Sequence, residues 1–305
     1  MYRTILVPFD GSALSATAVP LAIELARRTT ATVHLAMVHD PSAYIPFVAG
    51  EVAVPIFDAE LEREHRQADA RKLEDAVAIL RTAGIPTVGK MLEGSIAETL
   101  ERYVEEIDAD LTVMTTHGRG GFQRLRLGSV ATSFLNRITH PVLLLRAEHD
   151  EVVPIFPTGP IVCALDGSPF AEAMLPHARA FAEATGLPMH LVGVTVPHAV
   201  PMAPFGAETL LIDDTALKAE MDGRREYLAR MAAASLPGTT FLALEDMSVM
   251  SALLSEVTRL NAGAVAIATH GRSGFSRFML GSTTDELIRH TTVPVLAYRP
   301  HSAGH

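Results

Sequence analysis

The residues best suited to chemistry in this chain form a fourteen-residue segment, THGRGGFQRLRLGS at 116–129, that returns as THGRSGFSRFMLGS at 269–282 with ten identical positions. Each copy follows an apolar run, combines glycines with arginines, and ends in Gly-Ser at a predicted helix start. Backbone N–H groups left open by glycine, a hydroxyl and a helix N-terminus are the donors that a phosphate chain needs. A second pair of signals, Asp10-Gly11-Ser12 and Asp166-Gly167-Ser168, follows the first predicted strand of each half. Ser12 and Ser168 suit helix N-caps, which leaves Asp10 and Asp166 at the carboxyl end of a strand, the edge where open α/β sheets bind ligands. Two readings of the tripeptide stand: a cap and turn alone, or a ligand contact as well. Duplication copies either.

Spacing sharpens the longer motif. Nine residues separate Gly118 from Gly128-Ser129, and nine separate Gly271 from Gly281-Ser282. Glycine at 118 and 271 lets the backbone approach a ligand or take positive φ. Arg119 and Arg272, beside those glycines, are the better phosphate candidates than Arg124 and Arg277. No Gly-Lys-Ser/Thr occurs and no G-x-G-x-x-G follows the first strand, so the usual nucleoside-triphosphatase and dinucleotide fingerprints are missing. His117 and His270 are read as loop histidines, because no nucleophile and base pair accompanies them. No catalytic residue and no dedicated metal site is expected.

The elements that must position these motifs repeat too. Short β-branched runs alternate with amphipathic segments, the pattern of successive βαβ units and a parallel sheet. In the first half strands are predicted near 3–8, 32–39, 86–91, 111–116 and 141–146, with helices near 13–29, 58–83, 95–107 and 129–139. In the second half strands are predicted near 160–165, 188–195, 239–244, 264–269 and 294–299. This gives domains at 1–147 and 160–305, joined by a charged, proline-bearing linker at 148–159. Two apolar connections, 41–57 and 196–206, are long enough to be either surface loops or lids.

Composition narrows the partners. A net charge of −10 argues against general nucleic-acid binding, so an anionic ligand has to be captured locally. Cys163 is the one cysteine, which excludes an intrachain disulfide and suits a reducing compartment. With no apolar run long enough to span a bilayer and no signal-peptide pattern, a cytoplasmic protein without a membrane partner is expected.

On these motifs the chain resembles a tandem-domain universal stress protein, over nearly all of both halves. That family carries G-x-x-G, nine residues, G-S/T after a strand, paired with an aspartate after the first strand. Thr115 and Ala268 stand where the motif has its leading glycine. The resemblance implies two doubly wound α/β domains, each a five-stranded parallel sheet of order 3-2-1-4-5 with helices on both faces. It implies ATP as the ligand, with Mg²⁺ as an optional companion. Asp10 and Asp166 would meet the adenine and ribose end, with backbone groups of Val38 and Val194 on the second strands. Gly118, Arg119, Gly128, Ser129 and Val130 would surround ribose and phosphates, as would Gly271, Arg272, Gly281, Ser282 and Thr283. The implied role is nucleotide-dependent stress regulation; a slow ATPase or self-phosphorylating enzyme and a nucleotide-free scaffold are the alternatives. The apolar fifth strands, Val142-Leu143-Leu144-Leu145 and Val295-Leu296-Ala297-Tyr298, would be hazardous as bare edges. Their pairing as an intrachain pseudo-dimer is expected, with a homodimer as a further step.

Overall fold

The β-branched and aliphatic runs of the first half form β1 (Thr4–Pro8), β2 (Thr32–His39), β3 (Thr87–Glu93), β4 (Leu111–Thr115) and β5 (Val142–Leu145). All pairings among them are parallel, in the order β3-β2-β1-β4-β5. Ile5, Leu6 and Val7 are successive residues that point to opposite faces, and each is 0% exposed. Both faces of the sheet are therefore covered, as βαβ crossovers require. The covering helices are α1 (Ala13–Ala16), α2 (Ala18–Thr29), α3 (Ala59–Thr82), α4 (Ile96–Glu106) and α5 (Ser129–Leu135).

The second half repeats the plan with β6 (Ile161–Ala164), β7 (Met189–Thr195), β10 (Thr240–Glu245), β11 (Ala264–Ala268) and β12 (Val295–Tyr298), in the order β10-β7-β6-β11-β12. Its helices are α6 (Pro169–Glu172), α7 (Leu175–Thr185), α8 (Asp214–Ala233), α9 (Val249–Arg259) and α10 (Ser282–His290). This computed structural model describes residues 2–40, 59–116, 128–146, 156–197, 199–201, 210–212, 214–269 and 282–300. Its two compact units are Met1–Phe156 and Pro157–His305. Among the described residues no helix is long and apolar enough to cross a membrane.

Three local features differ from the sequence expectation. The helix predicted over 13–29 is broken at Thr17 into α1 and α2. Pro20 explains the break, since it has no N–H for the carbonyl of Ala16 and its ring crowds that carbonyl. Pro176 stands in the same relation to Glu172 and separates α6 from α7. The helix predicted over 129–139 ends at Leu135, where Arg137 N–H bonds back to the Phe134 carbonyl at 2.9 Å in a tight turn ahead of Pro141. A short antiparallel ribbon pairs β8 (Ala199–Pro201), in the second long connection, with β9 (Leu210–Ile212), just beyond it, where no regular structure is predicted. The matching stretch 41–57 and residues 148–155 of the expected linker lie outside the described residues.

Candidate nucleotide-binding edges

Each Asp-Gly-Ser turn is held by its own side chains. Gly11 and Gly167 have φ of 76° and 82°, a left-handed conformation that explains glycine at these positions. Asp10 Oδ1 accepts from Ser12 N–H at 2.9 Å and from the Ser12 hydroxyl at 2.6 Å. Ser12 Oγ in turn accepts Ser15 N–H at 3.1 Å and caps α1. In the second domain Asp166 Oδ1 accepts Ser168 N–H at 2.9 Å, and Ser168 Oγ accepts Ala171 N–H at 3.2 Å. Ser12 and Ser168 are thus helix caps by geometry, and one carboxylate oxygen of each aspartate closes the capping turn.

Strand register places those aspartates. β1 pairs with β2 at a constant offset of 28, from Thr4 with Thr32 to Pro8 with Ala36, which carried two residues on sets Asp10 beside Val38. On its other side β1 pairs with β4 at Ile5 with Leu111 and Leu6 with Thr112, so Asp10 follows β1 at the carboxyl end that it shares with β4. In the second domain β6 pairs with β7 up to Ala164 with Val192 and with β11 up to Cys163 with Ala266, so Asp166 follows β6 at the carboxyl end shared with both. Each aspartate therefore follows its first strand at the carboxyl edge, between the second and fourth strands. Successive strands are added outward on one side of the first strand and then, from the fourth strand on, on its other side, so this is the switch point where open sheets take ligands.

The glycine motif begins at the end of the fourth strand. Thr115 and Ala268 close the fourth strands, with only 7% and 8% exposure. Gly128 N–H bonds to the Thr116 carbonyl at 2.7 Å, so the far end of the motif returns to the strand from which it started. Ser129 and Val130 are the first two residues of α5, and Ser282 and Thr283 the first two of α10. First-turn N–H groups lack intrahelical partners. The Thr284 hydroxyl donates to the Ala268 carbonyl at 3.4 Å and ties α10 to the end of β11. Gly118, Arg119, Gly271, Arg272 and Gly281 lie outside the described residues.

The flanks carry groups that sequence reasoning did not single out. His39, next to Val38, is 1% exposed at its side chain, with Nε2 3.2 Å from Glu62 Oε1 and Nδ1 3.7 Å from Asp69 Oδ2. These contacts fasten α3 over the end of β2. Thr195 occupies the matching position in the second domain and is 0% exposed. Among the described residues no three histidine, cysteine or acidic side chains are grouped so as to hold a metal ion.

The universal stress protein family model matches residues 1–146 and again residues 158–299. The chain belongs to the universal stress protein family. It is 27% identical over 304 residues to a universal stress protein of Mycolicibacterium smegmatis, covering 97% of each chain. To a universal stress protein of Methanocaldococcus jannaschii it is 31% identical over 151 residues, which are 50% of this chain and 86% of the relative. Among solved structures, a universal stress protein from Archaeoglobus fulgidus shares the fold with a TM-score of 0.69 at 19% identity, covering 98% of both chains. This universal stress protein thus carries the family domain twice, and each copy has an aspartate just after its first strand and a glycine motif that starts at the end of its fourth.

Proposed function

We propose that this universal stress protein is a regulatory module that holds ATP at the carboxyl edge of each domain. The observation that carries the reading is that Asp10 and Asp166 follow their first strands at the carboxyl edge, between the second and the fourth strands. A carboxylate at a switch point suits the hydroxyls of a ribose, and the neighbouring strand backbone suits the polar edge of an adenine. Phosphates would lie toward Gly118, Arg119 and the N–H groups at 128–130, and toward Gly271, Arg272 and the N–H groups at 281–283. Mg²⁺ would enter with the phosphates, since it keeps several waters and needs few protein ligands. Thr115 and Ala268 are small enough to stay within the strand ends, which is compatible with a ligand passing above them. Binding without turnover is the role assigned, in the cytoplasm, with nucleotide occupancy biasing partner choice. Pairing of the two fifth strands, and of two chains, belongs to the same reading and draws on their apolar sequences.

The test is calorimetric titration of ATP into the wild-type chain and into a Gly118→Val, Gly271→Val double variant. A side chain at these positions would block backbone approach, so the double variant is expected to bind no ATP. Unchanged stoichiometry in that protein overturns the assignment.

A further inference from the structure

The second domain lays an arginine across the strand that carries Val194. An added Cβ at Gly193 on β7 would lie 2.8 Å from Arg224 Cδ and 3.2 Å from both the Leu165 carbonyl oxygen and Leu228 Cδ1. The Arg224 stem from α8 therefore fills the space that a side chain at 193 would take, the close approach that glycine inside a strand often marks. Leu165 N–H bonds to the Val192 carbonyl at 2.8 Å, so Gly193 lies beside the residue before Asp166, and Val194 follows it. In the first domain Phe9 N–H bonds to the Ala36 carbonyl in the same way, and the next residue is Met37, which is 1% exposed. Methionine fills there the seat that Gly193 leaves open. The crossover sets the direction of the arginine. β7 and β10 are parallel, so α8 between them runs back from the carboxyl edge and has its N-terminus there. Helical side chains lean toward the helix N-terminus, which carries the guanidinium from Gly193 on toward the carboxyl edge. Arg224 is half-buried, and among the described residues it makes no hydrogen bond or ion pair.

We infer that Arg224 is a specificity-determining residue of the second site, laying its guanidinium plane on the face of the base whose polar edge meets the Val194 backbone. This rests on the nucleotide reading above. A guanidinium is planar, always charged and weakly hydrated, which suits it to stack on an aromatic ring. Its side of the site points to the base and not to the phosphates. The glycine motif starts after β11, on one flank of β6, whereas Arg224 crosses β7, on the other. Asp166 stands between them, where the ribose would join base to phosphates.

The experiment uses the full chain with Gly118→Val to silence the first site, and titrates ATP into it by calorimetry with and without a change at Arg224. Arg224→Met keeps an unbranched stem against Gly193 and removes the charged plane, so ATP is expected to bind about fivefold more weakly. Arg224→Lys keeps the charge as a compact point without the plane, and is expected to stay more than about twofold weaker than the parent. Binding within about twofold of the parent in either variant overturns the inference alone, because the plane then contributes nothing that packing or charge does not. Failure of the Gly118→Val chain, with Arg224 intact, to bind ATP overturns the nucleotide reading on which it rests.

Discussion

Replacing Glu256 by alanine tests how the second sheet is fastened to its helix layer. His190 on β7 has Nε2 3.1 Å from Glu256 Oε1, and the two side chains are only 8% and 3% exposed. Nδ1 of the same ring lies 2.7 Å from Thr240 Oγ1 on β10. Arg259 donates to both Glu256 oxygens, at 2.7 and 2.6 Å, while its own side chain remains 60% exposed. Removal of one partner from a fully buried pair costs about 3–5 kcal/mol, but here water can replace the carboxylate at Arg259 and the stranded imidazole is neutral, so about 2 kcal/mol is expected at pH 7. For a domain of this size that corresponds to a Tm lower by about 4–8 °C. The chain has no tryptophan, so calorimetry and far-UV circular dichroism are the suitable probes.

The pH dependence gives the sign. Glu256 is held below its usual pKa of 4.5, first by the hydrogen bond from Arg259 and against the effect of burial. Its contribution is present above the unfolded value and is lost as pH falls through the lower folded value. His190 is also lowered from 6.5, chiefly by burial, with Glu256 pulling the other way. The neutral ring is therefore favoured in the fold, and acid below the unfolded value destabilises the domain. Without Glu256 the ring resists protonation further, so the gap between wild type and Glu256→Ala widens through the imidazole range and closes through the carboxylate range. A loss below about 0.5 kcal/mol at pH 7, the scale of an ordinary surface change, refutes the reasoning. So does a gap independent of pH.

Three further outcomes are expected. Ser168→Ala removes the acceptor for Ala171 N–H at 3.2 Å and lowers stability in urea unfolding by about 1 kcal/mol, as for other N-caps. Gly193→Met forces Arg224 out of contact that begins at 2.8 Å, costs about 1–3 kcal/mol through overpacking, and weakens nucleotide binding at the second site more than at the first, read by calorimetry in single-site chains. His39→Leu leaves Glu62 and Asp69 without their imidazole and exposes amides of α3 to hydrogen exchange while those of α4 stay protected.

Duplication and the order of elements were legible because strand and helix periods repeat with the motifs. The Asp-Gly-Ser turns were legible for a local reason: their hydrogen bonds close within five residues, as from Asp10 N–H to Ser15 Oγ at 3.3 Å. The breaks at Thr17 and before Leu175 were written in Pro20 and Pro176, yet the apolar period continues across them and hides the missing bonds. Strands of three residues, such as β8 and β9, are too short to show alternation. The groups flanking Asp166 could not be found by spacing. Gly193 and Arg224 come from a strand and a helix, and only the crossover that lays α8 over β7 brings them together. His39 looked like a strand residue among others until Glu62 and Asp69 on α3 met it.

The central claim is that each domain holds one nucleotide through its aspartate. Native mass spectrometry of the chain titrated with ATP measures this directly, because occupancy is counted per molecule. Two ATP per chain are expected in the wild type, one each in Asp10→Ala and Asp166→Ala, and none in the double variant. No bound ATP in the wild type, or a count that both aspartate changes leave at two, contradicts the account.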